Sequence, residues 1–221
     1  MTTVIAINGS PRKNGNTAAL LQKALDGAAS VGAETEMIHL IDLNYRGCIS
    51  CFACKRKGAK PMACAMNDGL SPIMEKALHS DAIICGSPIY LGDVTSLMRA
   101  FIERFGFINV SYEKKRNHNF TGKINAAFFY TMNVPKPLHL LFTYVYLFNT
   151  GILRKFNGKV EQLISADTLQ FGDYSKYDAS SFDEEKKKEA RAKKFPKDCR
   201  KAYEIGRRLG GSASSSNSLK S

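Results

Sequence analysis

The chain has 221 residues, 44% of them hydrophobic, which suits one domain with a single large core over residues 1–209 and a disordered Gly/Ser-rich tail at 210–221. Lysine and arginine number 32 against 20 acidic residues, a net charge of +12. The densest basic stretch, 184–194 (EEKKKEARAKK), interleaves acids at helical spacing and has no nucleic-acid-reading motif beside it, so it reads as a solvated helix face; the positive field favours an anionic cofactor instead.

In chain order, residues 3–7 (TVIAI) form a β-branched run typical of a strand buried on both faces. A helix is predicted over 17–29, a second strand over 34–40, a helix over 70–79 and a third strand over 81–85 (DAIIC). A helix over 94–105, strands over 124–131 (INAAFFYT) and 160–166, and one long helix over 183–209 complete the set. The alternation implies right-handed crossovers and an α/β fold, a doubly wound five-stranded parallel sheet of flavodoxin-like order 2-1-3-4-5 with helices on both faces. The apolar stretch 138–156 interrupts the scheme and reads as an inserted helix that covers the ligand or a subunit interface, with a plain core helix as the alternative. No stretch of about 18 apolar residues spans a membrane, and no cleavable leader is visible, so a cytoplasmic protein is expected.

Directly after the first strand, residues 8–17 (NGSPRKNGNT) have the composition of a phosphate cradle. Gly9 and Gly15 permit sharp turns, and loop amides and a helix N-terminus face an anion. Ser10 and Thr17 supply hydroxyls, Asn16 an amide, Arg12 a charge-assisted donor, and Lys13 adds charge. The loop matches neither G-x-G-x-x-G nor G-x-x-x-x-G-K-[ST], which argues against a Rossmann dinucleotide site and a P-loop NTPase.

Four of six cysteines cluster: Cys48, Cys51 and Cys54 at C-x2-C-x2-C spacing, with Cys64 after nine more residues. This is the usual spacing for a [4Fe–4S] cluster. Zinc and free or redox-active thiols stand as alternatives. Cys85 falls in a buried run and reads as core.

The GSPRKNGNT loop, together with GSPIYLG at 86–92 after the third strand, resembles the phosphate and ring loops of the NADPH-dependent FMN reductase family. The cysteine segment and QFGDYSKY at 170–177 resemble the branch that includes the iron–sulfur flavoproteins, although the fourth cysteine stands farther off here. The resemblance implies non-covalent FMN, its ring edge held by Pro88, Ile89, Tyr90 and Gly92, with Asp93 adjacent and Thr131 and Asn133 across the crevice. It implies hydride delivery from NAD(P)H and onward transfer to a quinone, flavin or iron acceptor, or alternatively a carrier that takes electrons from ferredoxin. The flavin does the chemistry, so no side chain is read as catalytic acid or base. Family habit and the apolar insert suggest a homodimer or homotetramer.

Overall fold

The computed structural model describes residues 1–136 and 138–212. Five parallel strands, β1 (Thr3–Asn8), β2 (Glu34–His39), β3 (Ala82–Tyr90), β5 (Ile124–Thr131) and β6 (Asn157–Ser165), lie in the order β2-β1-β3-β5-β6. A two-residue strand, β4 (Asp93–Val94), folds back antiparallel on the end of β3. With that short return set aside, this is the flavodoxin-like order expected.

The central strands β1, β3 and β5 are apolar on both sides because helices cover both. Along β1, Val4 and Ala6 face one core while Ile5 and Ile7 face the other; along β5, Ala127 and Phe129 oppose Ala126, Phe128 and Tyr130. The first core is closed by α1 (Asn16–Ala29) and α6 (Phe195–Gly211), through Leu20, Leu21, Ile205 and Leu209. The second is closed by α2 (Ser71–His79), α3 (Ser96–Asn109) and α4 (Thr143–Arg154), with Phe101, Phe105 and Phe156 stacked inside it. Cys85 is fully buried here, as expected, and desolvation lifts its thiol to about 12.

Two expectations need correction. The stretch 138–156 is not an insertion. A short 3-10 turn (Leu138–Phe142) leads into α4, the ordinary crossover from β5 to β6, and the strand begins at Asn157, earlier than expected. Nor is the C-terminal region one helix. It divides into α5 (Glu184–Lys193) and α6, because Pro196 has no N–H to continue the ladder and starts a new helix instead. α6 runs through Gly211, so Gly210 and Gly211, expected in the tail, are helical, and residues 213–221 lie outside the described residues.

Candidate functional site

The loops leaving β1, β3, β5 and β6 gather at the C-terminal edge of the sheet, where strand order reverses between β1 and β3. They are cross-tied. The Gly9 amide donates to the Gly86 carbonyl at 2.8 Å, the Thr95 hydroxyl donates to the Gly9 carbonyl at 2.6 Å, and the Thr95 amide donates to Ser87 Oγ at 3.0 Å. Thr95 also caps α3 by accepting from the Met98 amide. Only glycine fits at 86, since a Cβ there would lie 2.8 Å from Leu21 Cδ1 and 2.9 Å from Thr17 Cγ2.

Between these loops is a cavity of about 500 Å3, the size of a small-molecule site. One end is the start of α1, where Gly15, Asn16 and Thr17 line the cavity and no side chain caps the helix. Ser10, Arg12, Asn16 and Thr17 line this end. Thr17 and Thr131 are joined hydroxyl to hydroxyl at 2.8 Å, fixing α1 to the end of β5. The other end is lined by Pro88, Ile89 and Tyr90, with Thr131, Met132 and Asn133 opposite. Asn133 Oδ1 is buried there without a partner.

Three residues expected at or beside the site lie outside the cavity lining. Lys13 Nζ pairs with Asp42 at 2.7 Å on the outer surface. Gly92, with φ +92°, makes the two-residue turn between β3 and β4 beside Leu91 at φ +49°. Asp93 pairs with Arg99 at 2.6 Å, outside the cavity lining.

The segment after β6, whose residues 170–177 carry part of the resemblance, and α5 complete the site. Segment 168–172 crosses over the cavity, with the Gln170 carbonyl accepting from Arg12 Nη1 and the Leu169 carbonyl from Asn16 Nδ2, both at 2.8 Å. Phe171 lines the cavity and stacks on Tyr177 at 4.1 Å and edge-on to Tyr174 at 5.1 Å; these two tyrosines support the cover from behind. Arg191 of α5 also reaches the lining. Lys187, buried on the same helix, donates to the Asn133 carbonyl at 2.7 Å and to Asp167 at 2.8 Å.

The four clustered cysteines line a second pocket, walled by Ile49, Phe52, Phe107 and Ile108. Cys51 stands between Ser50 and Phe52, both at φ +54°, a left-handed conformation that costs non-glycine residues roughly 1–2 kcal/mol each. Arg104 is 1% exposed, bonds both carboxylate oxygens of Asp68, places Nη2 3.6 Å from Cys64 Sγ, and leaves Nε without a partner. Burial works to raise the Asp68 carboxyl, but the Arg104 hydrogen bond and charge hold it below its usual value. Lys55 Nζ donates to the Phe107 and Val110 carbonyls at the end of α3; burial lowers its pKa against the pull of Cys54 and Cys48. Among the described residues no three His, Cys, Asp or Glu side chains are gathered for a single metal ion.

Around this pocket the surface is basic. Arg56, Lys57, Lys60, Lys114, Lys115 and Arg116 form no ion pairs among the described residues. Exposed Phe52 and Tyr112 lie together at 6.5 Å and bring the two basic segments side by side. No helix among the described residues is long and apolar enough to cross a membrane.

With this geometry in place, comparison gives the relationship. The chain is 37% identical over 110 residues to an iron–sulfur flavoprotein of Methanocaldococcus jannaschii, covering 50% of this chain and 55% of that one. It is 34% identical over 124 residues to an iron–sulfur flavoprotein of Archaeoglobus fulgidus, covering 56% and 59%. The matched region thus spans little more than half the length of these relatives. A solved NAD(P)H:quinone oxidoreductase from Methanothermobacter marburgensis superimposes with a TM-score of 0.61 at 14% identity, over 94% of this chain and 98% of that one, a likeness of fold. The profile of the NADPH-dependent FMN reductases matches residues 2–139, which include both cavity loops and all four clustered cysteines, and the chain belongs to that family.

Proposed function

We propose that this chain is an FMN-dependent oxidoreductase, one domain over residues 1–209, that takes electrons from NAD(P)H and passes them to a quinone, flavin or iron acceptor. The observation that carries this reading is the cavity itself. A phosphate-sized end rich in donors and a flatter apolar end lie within one space at the strand termini. FMN fits it by chemistry. Arg12, Ser10 and the first-turn amides of α1 take the phosphate, and Pro88, Ile89, Tyr90 and Met132 take the ring. Bound FMN would supply the exchange of electrons between a hydride donor and the acceptor. The protein's part is to hold the ring edge on the loop after β3, to leave half-exposed Tyr90 at the mouth, and to keep water out with the cover at 168–172.

The visible spectrum of purified protein tests this reading. Two flavin bands that bleach within seconds of adding NADPH or NADH are expected; a colourless protein that takes up no FMN refutes it. The exposed apolar residues Leu141, in the turn before α4, and Tyr144 and Leu147 on α4 support a homodimer or homotetramer, which the sedimentation coefficient would report.

The thiol pocket favours a second function alongside the first. Cys48, Cys51, Cys54 and Cys64 suit a [4Fe–4S] cluster in donor type and number, and buried Arg104 with its unpartnered Nε suits an anionic centre. The space between them, about 10 Å3, holds about one water molecule, so seating a cluster would require the loop to open. The unpaired basic rim matches an acidic electron-carrier protein, and in this reading ferredoxin supplies the electrons. Iron and acid-labile sulfide near four per chain are expected under anaerobic purification. Their loss in Cys51→Ser with FMN content intact would assign them to this pocket; fewer than one iron in wild type would remove the cluster from the proposal.

A further inference from the structure

We infer that Arg191, delivered by α5 from the far end of the sequence, is a second phosphate ligand of the flavin cavity; the inference rests on the FMN reading above. The cavity's lining contains two charged side chains, Arg12 and Arg191, and no carboxylate. That double positive charge matches a phosphate monoester of about −1.5 to −2 at neutral pH.

Arg191 is positioned for this and is not paid off by a partner of its own. Its Nη1 donates to Asn16 Oδ1 at 2.7 Å, at the first residue of α1. Its guanidinium lies 4.0 Å from the Phe195 ring centroid, which fixes the plane of the fork. A guanidinium has five N–H donors, so most remain available to the cavity. Among the described residues Arg191 makes no ion pair. Its neighbours three and four positions away along the helix are Lys187, Lys188, Lys194 and Phe195, none of them acidic. The basic run therefore does two things: most of its charges pair along the helix surface or with Asp167, while this one is left over at the cavity.

The position is also held rigidly. Lys187 and Lys194 both bond Asp167, at 2.8 and 2.7 Å, securing α5 at both ends of the turn that carries Arg191. Arg191 lies beyond residues 2–139, so the family resemblance does not assign it.

The test is titration of the full chain, stripped of flavin, with FMN and with riboflavin, which lacks the phosphate. Arg191→Gln is expected to weaken FMN binding by about 10–100-fold while changing riboflavin binding less than about twofold, as for loss of one charge-assisted contact. Arg191→Lys should recover part of the FMN affinity. Equal weakening of both flavins would mean that Arg191 only ties α5 to Asn16, and unchanged FMN affinity would mean that it does not reach the phosphate; either overturns the inference. An intact FMN affinity with KM raised for NADPH and not for NADH would give the contact to the dinucleotide, and overturns it too. If wild type takes up neither flavin, the FMN reading itself fails, and the assignment with it.

Discussion

The two pockets lie at opposite ends of α3 and are built in opposite ways. Thr95, at the start of the helix, ties the β1 and β3 loops together at the cavity. Arg104, Phe107 and Ile108, more than two turns on, wall the thiol pocket, roughly 15 Å away along the helix axis at 1.5 Å per residue. The cavity comes from short loops cross-linked by buried hydrogen bonds at strand ends, and it encloses about 500 Å3. The thiol pocket comes from the irregular chain between β2 and α2, with left-handed Ser50, Phe52 and Met62, and it is nearly closed. A preformed site binds without ordering the chain, whereas ligands for a metal centre are commonly shaped by the metal itself.

The largest expected effect breaks the thiol side. Arg104→Met leaves Asp68 without its buried partner, at a cost of about 3–5 kcal/mol and a Tm lower by roughly 6–20 °C. Scanning calorimetry measures it. The comparison holds if FMN affinity stays within about threefold; a parallel fall would mean that the two ends of α3 are one cooperative unit. Next in size is Arg12→Glu, which puts an acid at the phosphate end and should weaken FMN by about 100–1,000-fold. Because Arg12 is exposed and gives up one hydrogen bond to Gln170, flavin-free stability should move by less than about 1 kcal/mol. A fluorescence titration and a urea curve on the same protein check both halves.

How far the sequence foretold this is itself divided. β1, β3 and β5 were plain because each is a short β-branched or aromatic run buried on both faces, whereas β2, at the sheet edge, fully buries only Ile38. The cavity loops were legible because phosphate binding draws on neighbours in sequence: Ser10, Arg12, Asn16 and Thr17 all lie within one loop and its helix. Arg191 was hidden because it reaches the cavity from more than 150 residues away, through its bond to Asn16; the cover was signalled only by the resemblance of 170–177, because its contact with Arg12 spans as great a separation. Lys13 has the same local pattern as Arg12, yet Asp42, 29 residues on, draws it outward. The break at Pro196 was masked by a hydrophilic pattern that continues through it. For the strained cysteine loop no periodicity exists to read.

The smallest expected effect concerns how α5 is held against the cavity. Only Lys187 and Ala190 of this helix are buried, so packing contributes little and the Asp167 carboxylate, bonded by Lys187 and Lys194, carries the attachment. Burial works to raise the Asp167 pKa, but the two lysines outweigh it and the carboxyl stays below its usual value. A depressed carboxylate contributes stability that is complete above the unfolded-state value, about 3.9, and is lost as pH falls through the lower folded value. Because asparagine keeps an oxygen to accept from buried Lys187 and only the charge is lost, Asp167→Asn should cost roughly 1–2 kcal/mol at pH 7 and progressively less below pH 4. The substitution is clean at the backbone, since Asp167 stands at φ +62° and asparagine accepts that conformation readily. Urea midpoints at pH 7, 5 and 3 measure the difference. A gap between wild type and Asp167→Asn that does not narrow towards pH 3 would show that α5 is held by contacts other than these charges, and that the cover over the cavity does not depend on them.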